Sequence, residues 1–324
     1  MITVQNLTKF YGNQPAIEDV TFSVDRGEVL GFLGPNGAGK TTTMRILTGY
    51  LASTRGTAQV AGFDVASQPL EVKRRVGYLP EHPPLYSEMT VQDYLDFVMR
   101  IKDVPKERRS SRRSTVLEQC GLGEVRGRVI GHLSKGYCQR VGIAQAIIHD
   151  PEVLVLDEPT VGLDPKQIIE IRGLIKSLAG QKTVILSTHI LPEVGQTCDR
   201  VVIINRGRIV AIDTCERLSV GLRQVDQLEL LVSRASDAFA GQLKRIPGVV
   251  SVKSIPQPSQ NATRFVLEWD RQKSGNRDVR ESAAQVVVEG GFGLLELVPV
   301  RMSLEDIFLQ LTTEEVREGR ILDE

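Results

Sequence analysis

The chain has 324 residues, 41% of them hydrophobic and 25% charged, and its 40 basic residues balance its 40 acidic residues. This composition is typical of a globular protein and excludes a largely disordered or collagen-like chain. A zero net charge argues against a dedicated nucleic-acid binder, which would carry a basic excess, so we expect no nucleic-acid partner.

Localisation signals are also missing from the sequence. Its apolar stretches are far shorter than the about 20 residues that span a bilayer. The first residues lack the basic and apolar segments of a secretory signal. The four cysteines form no CxxC pair, and the four histidines have no metal-ligand spacing. We therefore expect a cytosolic protein that reaches a membrane only through a partner.

Strand and helix patterns alternate from the start of the chain. Short apolar runs predict buried strands at 29–33, 153–156 and 183–186. Helices are predicted at 41–47 and after Asp164, which precedes a proline and so suits a helix start. Strands that alternate with helices predict an α/β fold with a parallel sheet.

Residues 89–120 predict two helices inserted between strands, and the second helix carries a basic run. The members of this run are Lys106, Arg108, Arg109, Arg112 and Arg113. A solvated helix face is the simpler interpretation, and the alternative is a patch that faces anionic lipid head groups.

A different pattern follows residue 212. The predicted elements are a strand at 227–232, a helix at 237–246, strands at 249–255 and 264–269, a helix at 279–288 and a strand at 293–298. This β-α-β-β-α-β order predicts a small α+β, ferredoxin-like domain, a fold that says little about function. We favour a dimerisation or docking module there, and ligand sensing is the alternative.

The domain boundary is predicted between these two patterns. We expect a first domain at 1–220, with a helical subdomain at about 88–150, and a second domain at 225–311. A capping-box variant at 303–306 predicts a last helix that ends at Leu311. Residues 312–324 form a polar tail.

The strongest motif is GPNGAGKT, which matches G-x-x-x-x-G-K-[ST] between a predicted strand and a predicted helix. Its glycines let backbone N–H groups point at phosphate oxygens, and the helix N-terminus adds partial positive charge. Lys40 would bridge the β- and γ-phosphates, and the Thr41 hydroxyl would bind Mg²⁺. The candidate ATP-binding residues are Gly34, Pro35, Asn36, Gly37, Ala38, Gly39, Lys40, Thr41 and Thr42.

Two adjacent carboxylates, Asp157 and Glu158, follow the apolar strand at 153–156. Asp157 suits holding Mg²⁺, and Glu158 suits orienting and polarising an attacking water. Two solvated acids at a strand end would be the alternative if the phosphate-binding motif were absent.

A third motif, LSKGYCQR at 133–140, completes a set that resembles the ATP-binding subunit of an ATP-binding cassette (ABC) transporter. The resemblance covers residues 1 to about 215. Residues 133–137 align with the family signature LSGGQ, with Lys135 in place of Gly and Tyr137 in place of Gln. The resemblance implies that Ser134 and Gly136 contact the γ-phosphate of ATP bound to the opposite subunit. Ser134 could also be a plain helix N-cap.

Four more positions take their roles from this resemblance. Tyr11 would stack on adenine, His189 would contact the γ-phosphate, and Asp164 would couple the two sites of a dimer. Glu81 stands where most cassettes have a Gln that contacts Mg²⁺ and senses the transmembrane partner. The form GYLPEH resembles the exporter branch that serves drugs, polysaccharides, lipids and gliding machinery.

The resemblance therefore implies an ATP-hydrolysing motor subunit of an exporter. Lys40, Glu158 and His189 would be catalytic, and Thr41, Asp157 and Glu81 would hold Mg²⁺. Two copies would meet head to tail around two ATP molecules, and a membrane permease would dock near 81–96. The alternatives are a ribosome- or chromosome-associated ABC ATPase without a membrane partner, and a catalytically dead cassette. A single phosphate-binding motif, the short spacing between the ATP motifs and the intact set of catalytic residues disfavour these alternatives.

Overall fold

The computed structural model describes residues 1–188, 190–221, 226–234, 239–257, 262–270 and 278–300. These residues divide into two compact units, one that extends to Cys215 and one that begins at Glu216. His189, the predicted helix that ends at Leu311 and the tail at 312–324 lie outside the described residues. Within the described ranges, no helix is long and apolar enough to cross a membrane.

The strands of the first unit form two sheets. Their bounds are Ile2–Tyr11 (β1), Gln14–Val24 (β2), Val29–Leu33 (β3), Arg55–Val60 (β4), Phe63–Asp64 (β5), Val76–Leu79 (β6), Val153–Asp157 (β7), Thr183–Thr188 (β8), Arg200–Asn205 (β9) and Arg208–Asp213 (β10). One sheet is antiparallel, in the order β2-β1-β4-β5. The other has the order β10-β9-β3-β8-β7-β6 and is parallel except for the β10–β9 pair. The predicted α/β fold with a parallel sheet is confirmed.

Helices of the first unit cover the central strands of the parallel sheet. They are Lys40–Leu47 (α1), Pro69–Arg75 (α2), Val91–Ile101 (α3), Lys106–Gln119 (α4), Lys135–Ile147 (α5), Pro165–Leu178 (α6) and Leu191–Thr197 (α7). Three more helices follow in the chain: Cys215–Gly221 (α8), Phe239–Leu243 (α9) and Val279–Glu289 (α10). Every residue of β3, β7 and β8 is buried, as a parallel strand covered on both faces requires. This burial explains why those strands read as continuous apolar runs.

The arginines of α4 hold the helical part of the first unit together. Arg112 donates hydrogen bonds of 2.7 Å to the carbonyl of Ile147 and 3.2 Å to that of Ile148, at the end of α5. Arg113 donates to both carboxylate oxygens of Asp96 on α3, at 2.7 and 2.6 Å. Arg112 and Arg113 therefore use their guanidinium groups within the protein, whereas Lys106 and Arg108 of the same run are exposed, as the solvated-face interpretation expects.

In the described part of the second unit, a four-stranded antiparallel sheet packs with α9 and α10. Its strands are Asp226–Ser233 (β11), Val249–Gln257 (β12), Ala262–Trp269 (β13) and Gly293–Val300 (β14), in the order β12-β13-β11-β14. Phe239 of α9 and Val287 of α10 pack with Phe265 of β13 in a separate core. The β-α-β-β-α-β order is confirmed, whereas the ferredoxin-like assignment and the domain boundaries stay predictions.

His149, which follows α5, makes the first unit sensitive to acid. Its Nε2 lies 3.2 Å from the Val76 carbonyl. Burial, helped by the positive charges of Lys102, Lys182 and Arg112, lowers the pKa of His149 from 6.5 to about 4. Between pH 6.5 and 4, the unfolded chain therefore binds a proton at His149 that the folded chain does not bind. As a result, the free energy of unfolding falls as the pH drops through this range.

We expect this group to cost up to about 3 kcal/mol of the free energy of unfolding at the acid end of that range. Urea unfolding of the wild type and of His149→Gln, at neutral pH and near pH 4.5, measures the effect. The variant should lose less stability between the two pH values. An equal loss in both proteins would contradict this assignment.

Candidate active site

The loop between β3 and α1 is shaped to hold an anion. Gly39 is the N-cap residue of α1 with φ 105°, and no side chain from the described part of the chain caps this helix. Its first N–H groups therefore face the loop without a side-chain acceptor. A Cβ at Gly34 would lie 2.4 Å from the Ile204 carbonyl oxygen, and a Cβ at Gly39 would lie 2.5 Å from Cγ2 of Ile17. Both positions require glycine because the backbone passes so close to its neighbours.

Lys40 holds its ammonium group inside this loop. Only 6% of the residue is exposed, and its Nζ donates to the carbonyls of Gly34 at 2.7 Å and Pro35 at 3.2 Å. The same Nζ lies 3.3 Å from Oε1 of Glu158. The cation predicted to bind phosphates thus pairs with the predicted water-orienting carboxylate.

Asp157 ends β7 and is fully buried. Its Oδ1 accepts a 2.6 Å hydrogen bond from the Ser187 hydroxyl, while Oδ2 has no hydrogen-bond partner among the described residues. Burial raises the pKa of this carboxyl, and hydrogen bonding from Ser187 and Thr41 opposes that shift. A buried carboxylate oxygen without a partner, beside a threonine hydroxyl, is a donor set that suits a hard divalent cation such as Mg²⁺.

Glu158 adopts an uncommon backbone conformation. Its φ is 50°, in the left-handed region that residues other than glycine rarely adopt. Its N–H donates to the Ser187 carbonyl at 3.2 Å and to the Ser187 hydroxyl at 3.0 Å, which holds the residue in place. Such strain is typical of functional positions, and the sequence gives no signal of it.

Lys40 and Glu158 meet at a cleft of about 420 Å³, whereas Gly34, Pro35 and Asp157 lie outside its lining. Its lining residues are Ala16, Asn36, Gly37, Ala38, Gly39, Lys40, Thr41, Thr42, Glu81, Glu158 and Val161. The cleft therefore brings together the phosphate-binding motif and two of the predicted acidic residues. Ala16 and Val161 were not predicted, because neither side chain carries a chemical group that a motif search would detect.

Other predicted site residues lie outside this lining. Tyr11 is 52% exposed at the end of β1. Ser134 is the N-cap of α5 and accepts from the Tyr137 N–H at 3.4 Å. Asp164 is the N-cap of α6 in a capping box with Gln167, whose N–H donates to it at 2.8 Å. The capping roles of Ser134 and Asp164 are thus present, and their roles toward a second copy stay predictions.

The segments around Ser134 and Asp164 touch each other within one chain. A Cβ at Gly136 would lie 2.6 Å from Cδ of Gln167, so a larger residue there requires the Gln167 side chain to move. The Lys135 side chain lies across Gly162, where a Cβ would be 2.0 Å from its Nζ. The two departures from the family signature therefore have different surroundings, since Lys135 contacts the loop before α6 and Tyr137 packs against the core of the first unit.

Comparison with known proteins identifies relatives of this chain. The family model described as ABC transporter matches residues 17–161. The chain is 40% identical over 313 residues to the bacitracin transport ATP-binding protein BcrA of Bacillus licheniformis, which covers 96% of this chain and 97% of that protein. It is 31% identical over 317 residues to the daunorubicin resistance ATP-binding protein DrrA3 of Streptomyces coeruleorubidus, with 98% and 97% covered.

Solved structures resemble about two thirds of this chain. An ATP-binding subunit of an ABC transporter has 34% sequence identity and a TM-score of 0.63, and the match covers 69% of this chain and 94% of that one. A bacterial ABC transporter cassette solved as a dimer has 25% identity and a TM-score of 0.61, with 66% and 98% covered.

Proposed function

Since this chain belongs to the family of ABC transporter ATP-binding proteins and is an ATPase, we propose that it powers an exporter by driving a separate membrane permease. The observation that carries this proposal is the cleft in which the phosphate-binding loop, Lys40 and Glu158 come together. The similarity to proteins of bacitracin transport and daunorubicin resistance supports export rather than uptake.

ATP would bind with its phosphates on the loop from Gly34 to Thr42. Lys40 would exchange its bonds to the loop carbonyls for bonds to the β- and γ-phosphates. Glu158, released from Lys40, would orient a water molecule in line with the γ-phosphate. Tyr11 would stack on the adenine ring, and His189 would contact the γ-phosphate.

Magnesium fits beside Asp157 and Thr41, because Asp157 Oδ2 is buried without a partner in the described part of the chain. When bound, this ion would neutralise negative charge on the phosphates. Glu81 lines the same cleft, and its carboxylate raises the pKa of Asp157 further. We propose that Glu81 contributes to the magnesium site in place of the usual amide.

A second copy of the chain would complete each site. The dimeric cassette among the similar structures supports a pair, which we propose to be head to tail. Ser134 and Gly136 of one copy would then contact ATP held by the other, and the loop ending at Asp164 would couple the two sites. Closure would follow ATP binding, and opening would follow hydrolysis.

The permease would dock at residues 81–96, and this contact would place the protein at the cytoplasmic face of the membrane. Tyr86, in the middle of this segment, is 47% exposed. Its ring packs edge-on against Tyr94 and Phe97, with centroid distances of 6.0 and 5.4 Å. An exposed aromatic side chain that is held in place by neighbouring rings is typical of the anchor residue of a protein interface.

A tagged pull-down from detergent-solubilised membranes tests this proposal. We expect a polytopic membrane protein to copurify in near-equal amount, and Tyr86→Ala to reduce that amount about tenfold or more. Tyr50→Ala is the matched control, because Tyr50 is 73% exposed and lies outside the docking segment. Recovery of ribosomal or chromosomal proteins without a membrane protein would overturn the transporter proposal and leave the ATPase chemistry intact.

A further inference from the structure

Tyr78 and Asp157 lie on the same face of the parallel sheet. In the pairing of β6 with β7, Tyr78 is opposite Val155. Asp157 follows Val155 by two residues on β7, so its side chain points to the same face. Tyr78 and Val155 both pack in the cluster that contains Met44 of α1, the helix that begins with Lys40 and Thr41.

Both side chains carry a buried polar atom whose hydrogen bonding within the protein is incomplete. Asp157 Oδ2 has no hydrogen-bond partner in the described ranges of the chain, and the Tyr78 hydroxyl, which interacts with the Arg45 donor, has no acceptor there for its own proton. Buried polar atoms are nearly always bonded, to protein or to ordered water, since desolvation without a partner is costly. Two such atoms on one sheet face are therefore natural partners for each other through a shared water molecule.

We propose that Tyr78 is a positioning residue for Asp157, to which its hydroxyl donates through an ordered water when the cleft holds ATP and magnesium. The bond would fix the carboxylate in the orientation that the metal ion needs. This inference rests on the proposed function, because it assigns Asp157 to the magnesium site.

The electrostatic setting keeps the Tyr78 hydroxyl able to donate a hydrogen bond. Burial, reinforced by the negative charge of Asp157, raises the pKa of Tyr78 to about 12, against the opposing effect of Arg45. The hydroxyl therefore keeps its proton at neutral pH. Tyr78 lies on β6, and Glu81 follows the end of that strand by two residues, so one short segment carries both side chains.

The test compares Tyr78→Phe with Tyr94→Phe in the full-length chain. Both changes remove one buried hydroxyl, but the Tyr94 hydroxyl donates a 2.6 Å hydrogen bond to Gln145 of α5. Isothermal titration calorimetry with a non-hydrolysable ATP analogue, in magnesium and in EDTA, gives the enhancement of affinity by the metal ion. Urea unfolding without nucleotide gives the stability of each variant.

Tyr78→Phe should reduce the magnesium enhancement about five- to tenfold, a loss larger than any change in unfolding that follows from the missing contact with Arg45. Tyr94→Phe should lower stability and keep the wild-type enhancement. A wild-type enhancement in Tyr78→Phe would overturn the role of Tyr78 alone. A wild-type protein without any enhancement would overturn the magnesium site, and the role of Tyr78 with it.

Discussion

Glu158→Gln is expected to stop turnover while ATP stays bound. An amide cannot accept a proton from the attacking water, so hydrolysis should fall by about 100-fold or more. The change also removes the negative charge 3.3 Å from Lys40, which frees the ammonium group for the phosphates. ATP affinity should therefore be equal to or higher than that of the wild type, and the chain should accumulate as a closed dimer.

Phosphate release at saturating ATP, calorimetry and light scattering after size exclusion measure these three effects. Glu152→Gln is the matched control, because Glu152 directly precedes the same strand, at its opposite end, and pairs with Arg26 at 3.2 Å. This control should hydrolyse ATP at the wild-type rate. Wild-type turnover in Glu158→Gln would remove Glu158 from its proposed role.

Lys40→Met is expected to weaken ATP binding itself. Methionine keeps the unbranched stem of lysine but cannot donate to a phosphate oxygen. A charge-assisted hydrogen bond is worth about twice a neutral one, so we expect the affinity for ATP to fall about 10- to 100-fold, and hydrolysis with it.

Equilibrium binding of a fluorescent ATP analogue measures this loss, and circular dichroism verifies the fold. Lys176→Met tests for a general effect of lost charge, because Lys176 lies exposed on α6, away from the cleft lining. An affinity that falls equally in both variants would show that Lys40 acts through net charge and not by contact with ATP.

The sequence predicts those parts of the site in which reactive side chains stand in a motif with characteristic residue spacing. Gly34–Thr41 could be placed between a strand and a helix because glycine spacing and apolar runs are local features. Asp157 and Glu158 could be placed at a strand end for the same reason. The structure adds that Lys40 and Glu158 are in contact, which no local pattern indicates because 118 positions separate them in the chain.

The remaining features depend on contacts between distant segments. The antiparallel sheet that pairs β1 with β2 and β4 has no motif, and its registers are interrupted by irregularities. The guanidinium groups of Arg112 and Arg113 look solvated in sequence, because their acceptors lie elsewhere in the chain. The positive φ of Glu158 could not be predicted, because glutamate rarely adopts this backbone conformation and no local pattern indicates it.

The two carbonyl bonds of Arg112 have a mechanical consequence for transport. They hold the C-terminal end of α5 against α4, and Ser134 caps the N-terminal end of α5. The 13 residues of this helix make a stiff rod about 20 Å long. In the proposed transporter, a force on α4 would move α5 as one rigid body. The movement would therefore reach Ser134, which we propose contacts the ATP held by the second copy. The hydrogen bonds of Arg112 to α5 would then link the movement of α4 during export to ATP hydrolysis.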